Sequence, residues 1–143
     1  MTRIDIRNDG TWARYLNVLL GAWLFISEFV WRHGQAAGTK LNLPLLPGSG
    51  DAEFHRAWGR VEEYLRAGKP DFILFQCGAD SIAGDPITHL RFTPAAHAHA
   101  ARRLCVLAEE LGHGRVVGMG GGGYNRTNIA LGWNGVLESF LAT

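Results

Sequence analysis

Apolar residues recur at Phe54, Trp58, Val61 and Leu65, spaced i, i+4, i+7 and i+11, which predicts a helix with one apolar stripe. Pro47-Gly-Ser-Gly50 reads as the turn before it, Asp51 as its N-cap, and Gly68 with Pro70 as its end. Asp71-Phe-Ile-Leu-Phe-Gln76 follows as a short continuous apolar run, the pattern of a parallel strand buried on both faces. A loop of about 16 residues, Cys77–Phe92, comes next, and loops of that length inside a compact domain are usually functional. Thr93 and Pro94 suit the N-cap and first position of a second helix, closed by Gly112 and Gly114. Arg115–Met119 predicts a second short strand. It runs into Gly120–Gly123 and a last helix carrying Ile129, Trp133, Val136 or Leu137, and Phe140.

Upstream, Leu41-Asn-Leu-Pro-Leu45 alternates and holds a proline, as an edge strand or an extended approach to one would. Strand, helix, strand, helix, strand, helix describes an α/β domain with a mostly parallel sheet and flanking helices. Ligands of such sheets bind beyond the carboxyl ends of the strands, where the loops Gly78–Pro86 and Gly120–Asn125 lie.

The first 38 residues have a different character. After a polar lead, Trp12–Trp31 is apolar nearly all round, with no charge from Val18 to Ser27 and Glu28 soon after. That run is shorter than the roughly 18 apolar residues of a spanning helix, so a buried or interface helix is expected over a membrane anchor. Its wording, GAWLFISEFV, resembles the start of a small membrane family with a Ser-Pro-Trp repeat, with Glu28 in the proline's place. Gly34–Gly38 is the junction to a domain expected over 39–143.

Composition narrows the class. With 47% apolar and 19% charged residues the 143-residue chain is globular, and a net charge of +1 gives no electrostatic reason to expect a nucleic-acid partner. Cys77 and Cys105 have no CxxC spacing and read as thiols of a reducing, cytoplasmic compartment, in keeping with an N-terminus lacking a secretory pattern.

Two loops could carry chemistry. Asp80, in Gln76-Cys-Gly-Ala-Asp80-Ser-Ile-Ala-Gly-Asp85-Pro86, is placed to ligate a cation at a strand end, or to bond its own backbone in a turn, a role that suits Asp85 before Pro86. The glycine run before Tyr124 lets backbone approach a ligand, with the phenol as a donor or simply an aromatic in a turn. Gly118-x-Gly120-x-x-Gly123 formally matches a dinucleotide fingerprint, but no acidic residue ends a second strand about 20 positions on, and Glu138 lies within the last helix.

Taken together, the Gln76–Pro86 segment, Arg91-Phe-Thr93 and Gly120–Asn125 resemble the histone deacetylase and acetoin-utilisation deacetylase family, over roughly residues 39–143. The resemblance implies a partial arginase-like α/β fold and zinc-dependent hydrolysis of acetyl-lysine or a related acyl-amine. It implies that Asp80 is a zinc ligand, that Tyr124 hydrogen-bonds the substrate carbonyl, and that Gly122 lines the acyl channel. The family's Asp-x-His and His-His motifs occur nowhere in the 143 residues. The chain is therefore expected to be truncated and inactive alone. The alternative is a non-catalytic acyl-binding or assembly module, with residues 1–34 pairing it to a second copy or a completing chain. Of the histidines, His97 and His99 should face apart at i, i+2, leaving His89 as the substitute ligand nearest Asp80 in sequence.

Overall fold

The computed structural model describes residues 40–143, and the readings made for residues 1–38 lie outside them. The order is α1 (Asp51–Gly68), β1 (Ile73–Gln76), a 3₁₀ turn (Ala79–Ser81), α2 (Pro94–Glu110), β2 (Val116–Met119) and α3 (Arg126–Leu141). β1 and β2 pair in parallel, with Ile73 opposite Val116 and Gln76 opposite Met119, and α2 is the crossover between them.

All three helices pack on one face of this ribbon. Ile73 meets Leu104 and Ala108 of α2 with Trp58 and Leu65 of α1, while Phe75 reaches the cluster of Cys77, Ala101 and Val136. Val136, 1% exposed, is the core residue of α3, whereas Leu137 points to solvent. α3 approaches α2 closely because the facing residues are small: a Cβ on Gly135 would lie 3.3 Å from that of Ala98, and Ser139 Oγ donates to the Ala98 carbonyl at 3.0 Å.

Three expectations need correction. β1 is not buried on both faces: Leu74 is 62% exposed, and Val117 and Met119 beside it are exposed too, because among the described residues nothing covers that side. Leu41–Leu45 forms no strand. Its alternation survives in half-buried Leu41, Leu43 and Leu45, but Leu43 and Leu45 line a hollow with Glu53, Arg56 and Ala57 of α1 rather than a sheet edge. Asp51 is the first residue of α1 and not its cap. Gly50 is the N-cap, its N–H donating to Glu53 at 2.9 Å, while Asp51 accepts the Thr93 N–H at 2.8 Å and its hydroxyl at 2.5 Å. That pair ties the start of α1 to the start of α2. Thr93, Pro94, Gly112 and Gly114 take the expected cap roles, the two glycines with φ of +80° and +59°.

A charge cluster around buried Glu62 joins the same helices. Glu62, 8% exposed, accepts from Arg103 through Nε and Nη2, both at 2.7 Å, and also from Trp58 and Arg66. Among the described residues no helix is long and apolar enough to cross a membrane.

Candidate functional site

Both special loops leave the carboxyl ends of the parallel strands, and they lock together there. Cys77 N–H donates to the Met119 carbonyl at 2.9 Å, continuing the ladder one residue past the strands. Ala79 N–H then donates to the Gly122 carbonyl at 2.7 Å. The backbones touch: a Cβ on Gly78 would lie 2.7 Å from Gly122 N and 2.8 Å from its oxygen. Only glycine permits this approach.

The approach places Asp80, in the 3₁₀ turn, against the glycine run. A Cβ on Gly122 would fall 2.0 Å from Asp80 Oδ2, and one on Gly121 would fall 1.8 Å from Gln76 Nε2. The run thus makes room for two polar side chains, Gln76 at the end of β1 and Asp80 in the turn that follows. This also disposes of the dinucleotide reading. Gly118 lies beneath Phe140 and Trp133, where a Cβ would come within 3.0 Å of the Phe140 ring, and Gly122 faces a carboxylate.

Asp85, 7% exposed, anchors the second loop. Its Oδ1 accepts from Ile87 N–H at 3.1 Å, the local turn bond expected of it, while Oδ2 accepts from Tyr124 N–H at 2.7 Å. Asn128 adds bonds to the carbonyls of Ile82 and Ala83, and Asn125 caps α3 through the N–H groups of Thr127 and Asn128. Tyr124 is thereby held by its backbone, and its side chain is 61% exposed. Thr88 donates to the Asp80 carbonyl at 2.5 Å and steadies the turn from the other side.

Beside Asp80 opens a cavity of about 230 Å³ with Phe54, Trp58 and Phe92 on its apolar wall and Ser81 and His97 on its polar side. Ser81 Oγ and His97 Nε2 are 3.0 Å apart. Burial pushes His97 below the ordinary imidazole range, against the pull of the Asp80 and Asp51 carboxylates. His97 and His99 do face apart, since His99 packs on α1. His89, expected near Asp80, lines a different hollow with Ala83, Thr88 and Arg91, and its carbonyl accepts from Gly48. Sequence spacing missed His97 because the contact joins a loop to the first turn of the next helix, 16 residues on. Asp85 reads as a turn residue by sequence, but its bond to Tyr124 spans 39 positions and leaves no local trace.

A catalytic zinc needs about three protein ligands. Among the described residues no three His, Cys, Asp or Glu side chains converge, so the set around Asp80 does not by itself fit a zinc ion.

The sequence profile of the histone deacetylase domain matches residues 24–140. The chain belongs to the histone deacetylase family. Its match begins upstream of the Gly34–Gly38 junction. Similar relatives include the chloroplastic histone deacetylase 14 of Arabidopsis thaliana, 36% identical over 110 residues, 76% of this chain and 25% of that protein. The acetoin utilization protein AcuC of Staphylococcus aureus is 37% identical over 89 residues, 62% of this chain and 23% of AcuC. The solved structure of the histone deacetylase Clr3 superposes with a TM-score of 0.68 at 34% identity, over 73% of this chain and 17% of that one. The fold of this deacetylase-family chain is therefore α/β, a part of the arginase/deacetylase architecture, and the chain spans about a quarter of the length of the curated relatives it matches.

Proposed function

We propose that this deacetylase-family chain carries one side of a zinc-dependent deacetylase site that acts on acetyl-lysine or a related acyl-amine. The contact of Asp80 with Gly122 supports the reading, because it sets a carboxylate against the glycine run that leads into Tyr124. In this reading Asp80 is one zinc ligand, Gly122 lines the channel for the acyl group, and Tyr124 donates its hydroxyl to the acyl oxygen. Zinc, when bound, would polarise that carbonyl and activate water. Tyr124 would steady the negative charge that grows on the oxygen, a role whose removal typically costs on the order of 10²–10³ in rate. The Asp85 bond to Tyr124 N–H fixes where the phenol starts. The remaining ligands and the general base have to come from further polypeptide, since Asp-x-His and His-His are absent from these 143 residues. These 143 residues alone should not turn over substrate. The two free thiols fit a reducing cytoplasmic setting.

A second reading is an assembly or acyl-binding module that a second copy or a completing chain covers, with the apolar 1–38 region as a separate segment. The exposed row Leu74, Val117 and Met119 favours it. One experiment separates the two. The chain is assayed on an acetyl-lysine reporter alone, and again when mixed or fused with the preceding part of a relative's domain. Turnover only in the second case, lost in Asp80→Asn and reduced about 10²–10³-fold in Tyr124→Phe, is expected. Turnover equal to wild type in Tyr124→Phe sinks the catalytic assignment, and acetyl-lysine binding with no turnover in any combination supports the module.

A further inference from the structure

The Asp80 carboxylate has no hydrogen bond of its own among the described residues; Thr88 donates to its main-chain carbonyl instead. Its place over Gly122 is therefore set by the turn that carries it, Ala79–Ser81. A 3₁₀ turn this short closes with weak geometry of its own, here the Ile82 N–H on the Ala79 carbonyl, so outside contacts have to fix it. Its first residue is held by the Gly122 carbonyl, and the Phe92 N–H donates to the Ser81 carbonyl at 3.1 Å. The side chain of its last residue is gripped by a helix. Ser81 Oγ lies 3.0 Å from Nε2 of His97, which is buried in the first turn of α2. The start of α2 is pinned in turn to α1 by the bonds of Thr93 to Asp51.

We propose that His97 is a positioning residue, whose bond to Ser81 fixes the turn so that the Asp80 carboxylate stands over Gly122. The proposal rests on the deacetylase reading above, in which that carboxylate belongs to the site. A functional group on a loop is held to within a fraction of an ångström only when its supports sit on rigid elements with locked side chains. A buried ring on a clasped helix meets that need. The brace works in either imidazole tautomer, since a serine hydroxyl donates to a bare ring nitrogen and accepts from a protonated one.

Three variants test this. His97→Phe keeps the ring and removes both nitrogens, Ser81→Ala removes the hydroxyl, and His97→Gln sets an amide at about the reach of Nε2. In the 143-residue chain, amide exchange across Asp80–Ile82 should quicken in the first two, with the protection of α2 unchanged. In the enzyme completed with the preceding part of a relative's domain, kcat on an acetyl-lysine reporter should fall about 10–100-fold in each, with KM unchanged. The double variant should lose no more, because both changes cut one contact, and His97→Gln should recover most of the rate. A histidine that only fills space would shift the urea midpoint and leave kcat alone. Wild-type kcat in His97→Phe, losses that multiply in the double variant, or no recovery in His97→Gln overturns the proposal. Turnover absent from the completed wild type, or indifferent to Asp80→Asn, brings down the deacetylase reading and the proposal with it.

Discussion

Asp80 lies so close over Gly122 that a methyl group on the glycine would fall 2.0 Å from the carboxylate oxygen. The two residues belong to different loops, 42 positions apart, and each defines where the other can be. The same glycine offers its backbone to Gly78, so two glycines do two jobs at one crossing.

Those jobs are separable by substitution. In Gly122→Ala the atom displaced is the end of the Asp80 side chain, which can swing away. Stability should fall by no more than about 1 kcal/mol, while zinc affinity and turnover of a completed enzyme should drop. Gly78→Ala instead drives Cβ into the Gly122 backbone, and overpacking of that kind costs about 1–3 kcal/mol or more. Urea unfolding of both variants, with zinc content of the completed enzyme, checks the contrast. Equal destabilisation would contradict it.

Asp85 should matter to folding as well as to the site. Asp85→Ala removes the acceptor of two part-buried N–H groups, those of Ile87 and Tyr124, and each such bond is worth about 0.5–1.5 kcal/mol. Asp85→Asn keeps one acceptor and should lose less. The shift in urea midpoint measures this, and an Asp85→Ala midpoint within error of wild type would refute it.

The Glu62 cluster predicts an acid transition. Hydrogen bonds from Arg103, foremost, hold its carboxyl down from 4.5 to about 2, against the opposing effect of burial. A lowered folded-state value means the unfolded chain binds the proton more readily, so stability is complete above about pH 5 and lost as pH falls through 4.5 towards 2. Glu62→Gln should cost on the order of 2 kcal/mol at pH 7 and flatten the pH dependence across that window. Unfolding curves for both proteins at pH 7 and pH 3 give the comparison.

The uncovered sheet face predicts a substitution that is silent alone. Leu74→Glu should change the stability of the isolated chain by less than about 0.5 kcal/mol, as exposed positions usually do. It should abolish activity recovered by adding the preceding part of the domain. A large loss of stability in the isolated chain would mean that the face is already covered.

Local chemistry made most elements legible in advance. The stripe of Phe54, Trp58 and Leu65, the Thr93-Pro94 start of α2 and the short apolar runs at β1 and β2 all depend on neighbours within a few residues, and all were found where the pattern placed them. The ordered wording of the two loops was enough to assign the family. Neighbours far along the chain were another matter. Asp51 reads as a cap by itself, and becomes a clasp only because Thr93 arrives beside it. An apolar run such as Ile73–Phe75 cannot say how many layers will cover it, and only the packing left Leu74 bare. His97 rather than His89 lines the cavity beside Asp80, where its ring meets Ser81, because the first turn of α2 packs over the 3₁₀ turn. Sequence alone determined the three helices, the two paired strands and the lineage, since these rest on local periodicity and short motifs. Tertiary structure decided which residues meet, because contacts such as Asp80 with Gly122 and Asp85 with Tyr124 span about 40 positions and exist only once two parallel strands bring their ends together.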